Sequence, residues 1–471
     1  MRTRPSGSRL GKRDHQEHTV SILSVLERPS PVAEAPTVRR RAPHLPAVLG
    51  ADLLVPTLDG EVVGYANLDH AASPPCLAPV KRAVDNVLDT YASVHRGSGY
   101  ASVVTTRWFE EARGELRAFT GARPDDSVVF TRHATEALNL LAKALPADTT
   151  VIVWESEHHA ALLPWPETRV VRLGAPHRPT DILRQLHDAL ATAETDEVLV
   201  VTTAASNVTG ELWPVAEITE VAHRSGARVC VDASQVAPHR RIDIAADDVD
   251  YVVLSGHKIY APFGAGLLVG RQDWLQAADP HLFGGGATDL VAPDEVRWST
   301  GPARHEAGSP NVVGAVAMAA AASTLRAHQD ELEAHEAFLL ERLQHGLAEI
   351  DGVTTYSLFG AGHDRVAITT FTIDALRSEV VSAALSAEYG VGVRDGKFCA
   401  HLLVDHLLAD SPAPTAVRAS IGLGTTLEHV DRFLGAIARL ASDGPAATYS
   451  CTDGVWAPSA DPRDLTHPRP W

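Results

Sequence analysis

Lys258 closes the run Leu254-Ser255-Gly256-His257-Lys258, two dozen residues downstream of Val231-Asp232-Ala233-Ser234-Gln235. A lysine after one apolar strand, with a carboxylate at the end of another, is what pyridoxal phosphate chemistry requires. The cofactor's aldehyde needs an amine for a Schiff base. Its pyridine nitrogen needs an anion to keep it protonated, so that the ring can draw electrons from the substrate. The lysine must also react as a neutral amine, which partial removal from water beside a cation favours.

Other polar groups follow apolar runs in the same way. Ala134 and Thr135 open a helical stretch after Val128-Val129-Phe130. A helix start offers free N–H groups and a positive dipole end to a phosphate, although an ordinary N-cap has the same appearance. His158 lies in Glu155-Ser156-Glu157-His158-His159, where an imidazole can lie on a pyridine ring, or be a surface or core histidine. Asn207, in Ala205-Ser206-Asn207-Val208-Thr209-Gly210, is a candidate donor to a phenolate or carboxylate, with a turn residue as the alternative. Ser255 and His257 stand just before Lys258. The coincidence carries weight, because ligands of open parallel sheets bind at the carboxyl ends of the strands.

The elements that must position these groups are legible as buried strands. Thr150–Trp154, Val198–Thr202, Arg228–Val231 and Tyr251–Leu254 are nearly continuous apolar runs, with a further strand over Gly264–Gly270. Helical stretches lie between them, so an α/β fold with a parallel sheet covered on both faces is expected. The last third changes to an α+β pattern. It has a strand at Val366–Ile373, a helix at Ala375–Tyr389 and a short strand at Val391–Arg394. A capping box Thr425-x-x-Glu428 stands ahead of a helix whose apolar face carries Val430, Phe433, Leu434, Ile437 and Leu440.

Composition bounds the rest. The chain has 471 residues, 45% hydrophobic and 21% charged, with a net charge of -18. That balance argues against nucleic acid or anionic lipid as a partner. No stretch reaches the roughly 20 uncharged apolar residues of a membrane helix. Cys76, Cys230, Cys399 and Cys451 are widely spaced, so neither a disulfide framework nor a zinc site is expected, and the reducing cytoplasm fits. No metal site is expected: His401 and His406 are two residues without a ligand spacing. Residues 1–48, rich in Arg, Pro and Ser, are expected to form a disordered basic arm. Residues 444–471 lack periodicity and are expected to form a flexible tail, which Trp456 and Trp471 could pin.

The ordered set Ala134-Thr135-Glu136, Glu157-His158-His159-Ala160, Ser206-Asn207, Asp232-Ala233-Ser234-Gln235, Ser255-Gly256-His257-Lys258 and Glu306-Ala307-Gly308-Ser309-Pro310-Asn311 resembles the class V aminotransferase family. Within it, the likeness is to cysteine desulfurases and selenocysteine lyases of the SufS type, from Tyr65-Ala66-Asn67-Leu68-Asp69-His70-Ala71-Ala72 to Leu440. The resemblance implies a fold type I enzyme dependent on pyridoxal 5'-phosphate. A segment 49–75 would join the small domain, 76–340 would form the large cofactor-binding domain and 341–443 the small C-terminal one. It implies that Lys258 bonds the cofactor aldehyde, Asp232 pairs with the pyridinium, His158 stacks on the ring and Gln235 touches the phenolic oxygen. Ala134, Thr135, Ser255 and His257 would hold the phosphate, and Ser309 would reach it from the partner subunit of a homodimer. His95-Arg96-Gly97 would also serve the partner's site. Arg418 would take the substrate carboxylate as a bidentate fork, assisted by Asn207, with Ala72 and Arg394 lining the substrate side.

Val393-Arg394-Asp395-Gly396-Lys397-Phe398-Cys399-Ala400 is similar to the loop that carries the persulfide-forming cysteine of that family. The resemblance implies release of alanine and transfer of sulfur to Cys399, then to an acceptor protein. A thiolate there needs cationic help, and Arg394 and Lys397 are near in sequence. A small buried cysteine is the other reading of Cys399. Two features depart from the family: Lys397-Phe398 occupy positions usually held by two histidines, and Leu402 replaces a proline. Transamination, carbon–sulfur lysis without a persulfide and epimerisation would use the same lysine, as would carbon–selenium cleavage. A cofactor-binding module without catalysis would keep the fold alone.

Overall fold

The computed structural model describes residues 45–471 except 468. Its main sheet has seven strands: β1 (Ser127–Thr131), β2 (Thr150–Trp154), β3 (Val170–Leu173), β4 (Val198–Thr203), β5 (Arg228–Asp232), β6 (Tyr251–Ser255) and β7 (Gly266–Gly270), in the order β1-β7-β6-β5-β4-β2-β3. Strand β7 runs antiparallel to both neighbours, β1 and β6, while the pairings from β6 to β3 are parallel. The mostly parallel α/β architecture expected from the sequence is therefore present.

The continuous apolar runs have a direct explanation in this sheet. Alternate residues of one strand enter different cores. Ile152, Val200, Val229, Val231, Val252 and Leu254 join one cluster with helices Pro179–Ala191, Val215–Arg224 and Val312–Ala327. Val151, Val153, Leu199, Val201, Cys230 and Val253 join the other, against helix Ala134–Ala144. Both faces are covered, so no position on these strands is free to be polar until the strand ends.

A second sheet has four antiparallel strands: β8 (Val353–Tyr356), β9 (Ile368–Ile373), β10 (Arg394–Gly396) and β11 (Ala416–Ser420), in the order β8-β9-β11-β10. Helices Gln329–Ala348, Ser378–Tyr389 and Leu427–Asp443 enclose its core. Helix Gln329–Ala348 links the two cores: Leu332 belongs to the first, and Leu339, Leu343 and Leu347 to the second. The expected face Val430, Phe433, Leu434, Ile437 and Leu440 is buried. Its cap, however, is Thr426, whose hydroxyl accepts from the His429 amide while the Thr426 amide donates to the His429 ring. An imidazole nitrogen thus takes the acceptor role of a glutamate. Thr425 instead accepts from the Gly422 amide.

The stretch 66–72 crosses the second sheet. Ala66 and Asn67 pair in parallel with Val391 and Gly392, Asp69 bridges to Ser420, and the Ala71 amide donates to the Ser420 hydroxyl at 2.9 Å. Within the expected arm, residues 1–44 lie outside the described residues, and Val48 pairs with Leu77. The expected flexible tail contains a hairpin, Tyr449–Thr452 with Val455–Pro458. The Tyr449 hydroxyl donates to Glu388 at 2.9 Å, and the Arg377 guanidinium lies 5.4 Å from the Trp456 ring. Glu388 also accepts from the Ala446 and Ala447 amides, so these bonds and the cation–π contact hold a segment too short and polar to show periodicity. Among the described residues, no helix is long and apolar enough to cross a membrane.

Gly422 is where the two sheets meet. A Cβ there would stand 2.4 Å from His70 Nδ1 and 2.6 Å from the Tyr260 hydroxyl, both on buried residues. Gly422→Ala should therefore cost about 1–3 kcal/mol of overpacking strain, read as a lower urea midpoint. An unchanged midpoint would show that this junction is not tightly packed.

Candidate active site

Five strands of the main sheet deliver their carboxyl ends to one cleft of about 660 Å³. Asp232 is the last residue of β5, and Lys258 lies in the single turn Gly256–Ile259 that follows β6. His158 caps the short helix His159–Leu162 beyond β2, Asn207 follows β4, and Ala134 begins the helix beyond β1. The second sheet supplies Arg418 from β11 and Arg394 from β10, and the loop after β10 supplies Phe398 and Cys399. Ala71 and Ala72 close the cleft from the crossing stretch.

Removal from water lowers the Lys258 amine to about 8, and the Arg418 charge adds to this. The Asp232, Cys399 and Asp69 charges pull in the opposite direction. The amine is thus far closer to its neutral, nucleophilic form at neutral pH than an ordinary lysine. Asp232 is buried and holds the Ser234 amide at 2.9 Å. His158 accepts from the Ala160 amide through Nδ1 at 3.0 Å, so its proton sits on Nε2. Burial first, and then the Lys258 charge, lower His158 to about 4, which keeps the ring neutral. Burial and Lys258 likewise lower His257 to about 4, and its Nδ1 lies 3.2 Å from the Ser73 hydroxyl.

Arg418 is almost wholly buried. Its Nη1 donates to the Asn207 carbonyl at 2.8 Å and its Nη2 to Asp69 at 3.2 Å, while among the described residues Nε is buried without a partner. Arg394 stands directly opposite Arg418 in the β10–β11 register. Burial is the leading influence that lowers Arg418 and raises Asp69, so each charge depends on the other. Two like charges in register with one carboxylate favour a further anion between them.

The family of this chain follows from comparison with known proteins. Residues 66–433 match the family described as Aminotransferase class-V. The chain belongs to the class V aminotransferase family. It is 34% identical to a probable cysteine desulfurase of Halobacterium salinarum over 396 residues, covering 81% of this chain and 94% of that protein. A cysteine desulfurase of Enterobacter sp. is 36% identical over 407 residues, covering 82% of this chain and 96% of that protein. Among solved structures, the apo cysteine desulfurase of Thermococcus onnurineus superposes with a TM-score of 0.72 at 28% identity, over 80% of this chain and 94% of that one. The cysteine desulfurase CsdA of Escherichia coli, in its S-sulfonic acid form, gives 0.68 at 28% identity, over the same shares.

The structure brings together most of the residues singled out in the sequence. Lys258, Asp232, His158, Gln235, Ser255, His257, Ala134, Thr135, Asn207, Arg394, Arg418, Ala72 and Cys399 all line the one cleft. Ser309 does not. It is exposed, beside Gly308 and Pro310 of a separate cleft of about 690 Å³ that also contains His95 and Arg96. Lys397 forms an ion pair with Asp405 at 2.5 Å and is not among the residues lining the cleft, whereas Arg394 is. Asn207 gives one side-chain N–H to the Phe398 carbonyl at 2.7 Å, and its backbone carbonyl accepts from Arg418. Sequence reasoning assigned no role to Asp69, Ala71 or Phe398. Their only signal was membership of the quoted motifs, since each acts across a large sequence separation.

Pyridoxal phosphate fits the side chains present. Ser255 accepts the Ala134 amide at 2.9 Å, which leaves its own hydroxyl proton for an anion at the helix start. Gln235 donates to the Ala71 carbonyl at 2.8 Å, and its Oε1 is buried without a partner, as is the Ser234 hydroxyl. Buried polar atoms are rarely left unmet, so these orphans mark a polar occupant.

Glu157 is a buried carboxyl behind this wall. Its Oε1 accepts from the Thr203 amide at 2.9 Å, and its Oε2 has no partner among the described residues. Burial, with the nearby Asp232 charge, raises its pKa well above the usual carboxylate range. In the unfolded chain the same group ionises near pH 4.3. Between those values the folded protein holds the extra proton, so stability falls as pH rises. Glu157→Gln should therefore melt like the parent below pH 4 and increasingly above it towards pH 8, by up to about 1.4 kcal/mol per pH unit. A pH-independent gap in melting temperature would refute the protonated state.

Proposed function

We propose that this chain is a cysteine desulfurase, which cleaves the carbon–sulfur bond of L-cysteine, or the carbon–selenium bond of selenocysteine, to give alanine, with Cys399 receiving the chalcogen. The observation that carries the reading is that an exposed thiol, Cys399, shares one cleft with the lowered amine of Lys258 and the buried fork of Arg418. Family membership and the desulfurases among its relatives support it.

Pyridoxal phosphate, when bound, supplies the electron sink that loosens bonds at the substrate's carbons. Lys258, Asp232 and His158 would hold its ring, and Ser255, His257, Ala134 and Thr135 its phosphate. The protein supplies the rest. Arg418, which lines the cleft, binds the substrate carboxylate, and Asp69 keeps the guanidinium oriented. The Lys258 Nζ, lowered towards neutrality, accepts and returns the proton at the substrate α-carbon. Neutral His158 offers its Nε2 proton without adding a second positive charge beside Lys258.

Cys399 performs the transfer step. Its thiol loses a proton, and the sulfur attacks the substrate sulfur. An S–S bond forms as the C–S bond breaks, and the bonding pair remains with carbon, which takes up a proton to become the methyl group of alanine. Arg394 lines the same cleft as Cys399. A homodimer completes the reading: Ser309, His95 and Arg96 would act in the partner's cleft. The exposed Leu282, Phe283 and Val291 offer apolar surface for that contact. A reducing cytoplasm suits the free thiol, and a sulfur-acceptor protein would relieve Cys399 of its load.

Cys399→Ala should cut sulfide and alanine formation from L-cysteine by on the order of 100-fold, while the cofactor's absorbance on mixing is retained. Parent-like alanine release would remove Cys399 from the reaction. Pyruvate in place of alanine would point to a lyase.

A further inference from the structure

Two consecutive non-glycine residues, Phe398 and Cys399, have left-handed backbones, with φ of 52° and 54°. Such a conformation is strained for a residue with a side chain and persists only where the surroundings impose it. Cys399 does little to impose it, because its side chain is exposed and its carbonyl makes one bond, from the His159 amide at 2.8 Å. Phe398 does much more. Its buried ring enters a small core with Val208, Leu403 and Val404, and lies 5.1 Å from the Arg418 guanidinium. Its carbonyl accepts from Asn207, whose own carbonyl accepts from Arg418. Ring, amide and guanidinium therefore form a closed circuit, and Cys399 is the next residue along the chain.

We propose that Phe398 is a positioning residue that sets Cys399 by holding its ring against the guanidinium of Arg418. The inference rests on the reading of Arg418 as the carboxylate site and Cys399 as the sulfur acceptor, but its geometry concerns the chain alone. In this protein an aromatic ring on the arginine does the work of fixing the loop, at a position where the family usually has a histidine. The reacting sulfur is thereby referenced to the group that fixes the substrate's other end. A misplacement of about 1 Å at such a point costs on the order of 100-fold in rate.

The test reads thiol accessibility rather than turnover, so it is independent of whether cysteine is the substrate. Full-length protein reconstituted with pyridoxal phosphate is treated with iodoacetamide, and alkylation is followed peptide by peptide. The exposed Cys451 serves as internal reference. Phe398→Leu keeps an apolar plug but loses the aromatic face, and Arg418→Met keeps length but loses the charge. Each should change the Cys399 alkylation rate about fivefold, the size of one cation–π contact, with Cys451 unchanged. The double variant should show no more than the larger of the two single effects, because the ring–guanidinium contact is already lost in either single variant. Parent-like alkylation in Phe398→Leu, or effects that multiply in the double variant, would overturn the proposal. Loss of desulfurase activity with unaltered alkylation would leave the functional reading intact and still reject this one.

Discussion

An amine held out of water beside a carboxylate is the constraint around which this structure is arranged. A buried lysine would normally be expelled or neutralised, and lowering to about 8 is the measure of that pressure on Lys258. Asp232 offsets part of it. The two residues come from adjacent parallel strands, β5 and β6, whose carboxyl ends lie side by side by virtue of their register. A parallel pair needs a long crossover, which here is residues 233–250. Gly256 then turns the chain sharply enough to carry Lys258 back over the strand ends. Its missing side chain is required, since a Cβ would lie 2.7 Å from the Ala265 carbonyl and from Met318.

The second sheet faces a different electrostatic problem. Arg394 and Arg418 are paired in register on antiparallel strands, a like-charge arrangement that sheets ordinarily avoid. Asp69 compensates for one charge only. The arrangement is held by bonds that cross from one sheet to the other: Arg418 to the Asn207 carbonyl, Asn207 to the Phe398 carbonyl, Gln235 to the Ala71 carbonyl, and the Leu423 amide to the Tyr260 hydroxyl at 3.0 Å. Each of these joins residues more than a hundred positions apart. The cleft is therefore not a gap between two independent bodies but a seam whose polar ties also line the site.

That separation explains which parts of the site were legible in the sequence. Lys258, Asp232, His158 and Ser255 sit at strand ends, and strand ends are local features of an apolar run. Arg418 lies inside a short strand with no local sign of chemistry, and only the family resemblance singled it out. Phe398 looked like a departure from the family pattern, because nothing local says that its ring meets Arg418. Lys397 misled for the opposite reason: closeness in sequence to Cys399 suggested help, whereas Asp405, eight residues on, pairs with it. The helix cap was misplaced by one residue because Thr425 and Thr426 are adjacent and an imidazole can substitute for a glutamate. The tail looked unstructured because its hairpin is anchored through Glu388 and Arg377, far upstream.

The distribution of charge gives the cleft its selectivity for anions. The chain as a whole carries -18, so its general surface disfavours phosphates and carboxylates. Within the cleft, Lys258, Arg394, Arg418 and Arg132 face only Asp232 among the acidic lining residues, with Asp69 behind Arg418. His158 and His257 are kept neutral by burial and by nearby positive charge, so the two arginines Arg394 and Arg418 contribute more to the local charge than those two imidazoles. An amino acid entering with its carboxylate foremost meets a positive potential that strengthens as water is excluded, because the same charges act through a lower dielectric. Arg418, which lines the cleft, has its guanidinium already oriented by Asp69. The cost of ordering that arginine is met when the chain folds, which leaves more of the binding energy available for alignment at Lys258 and Cys399.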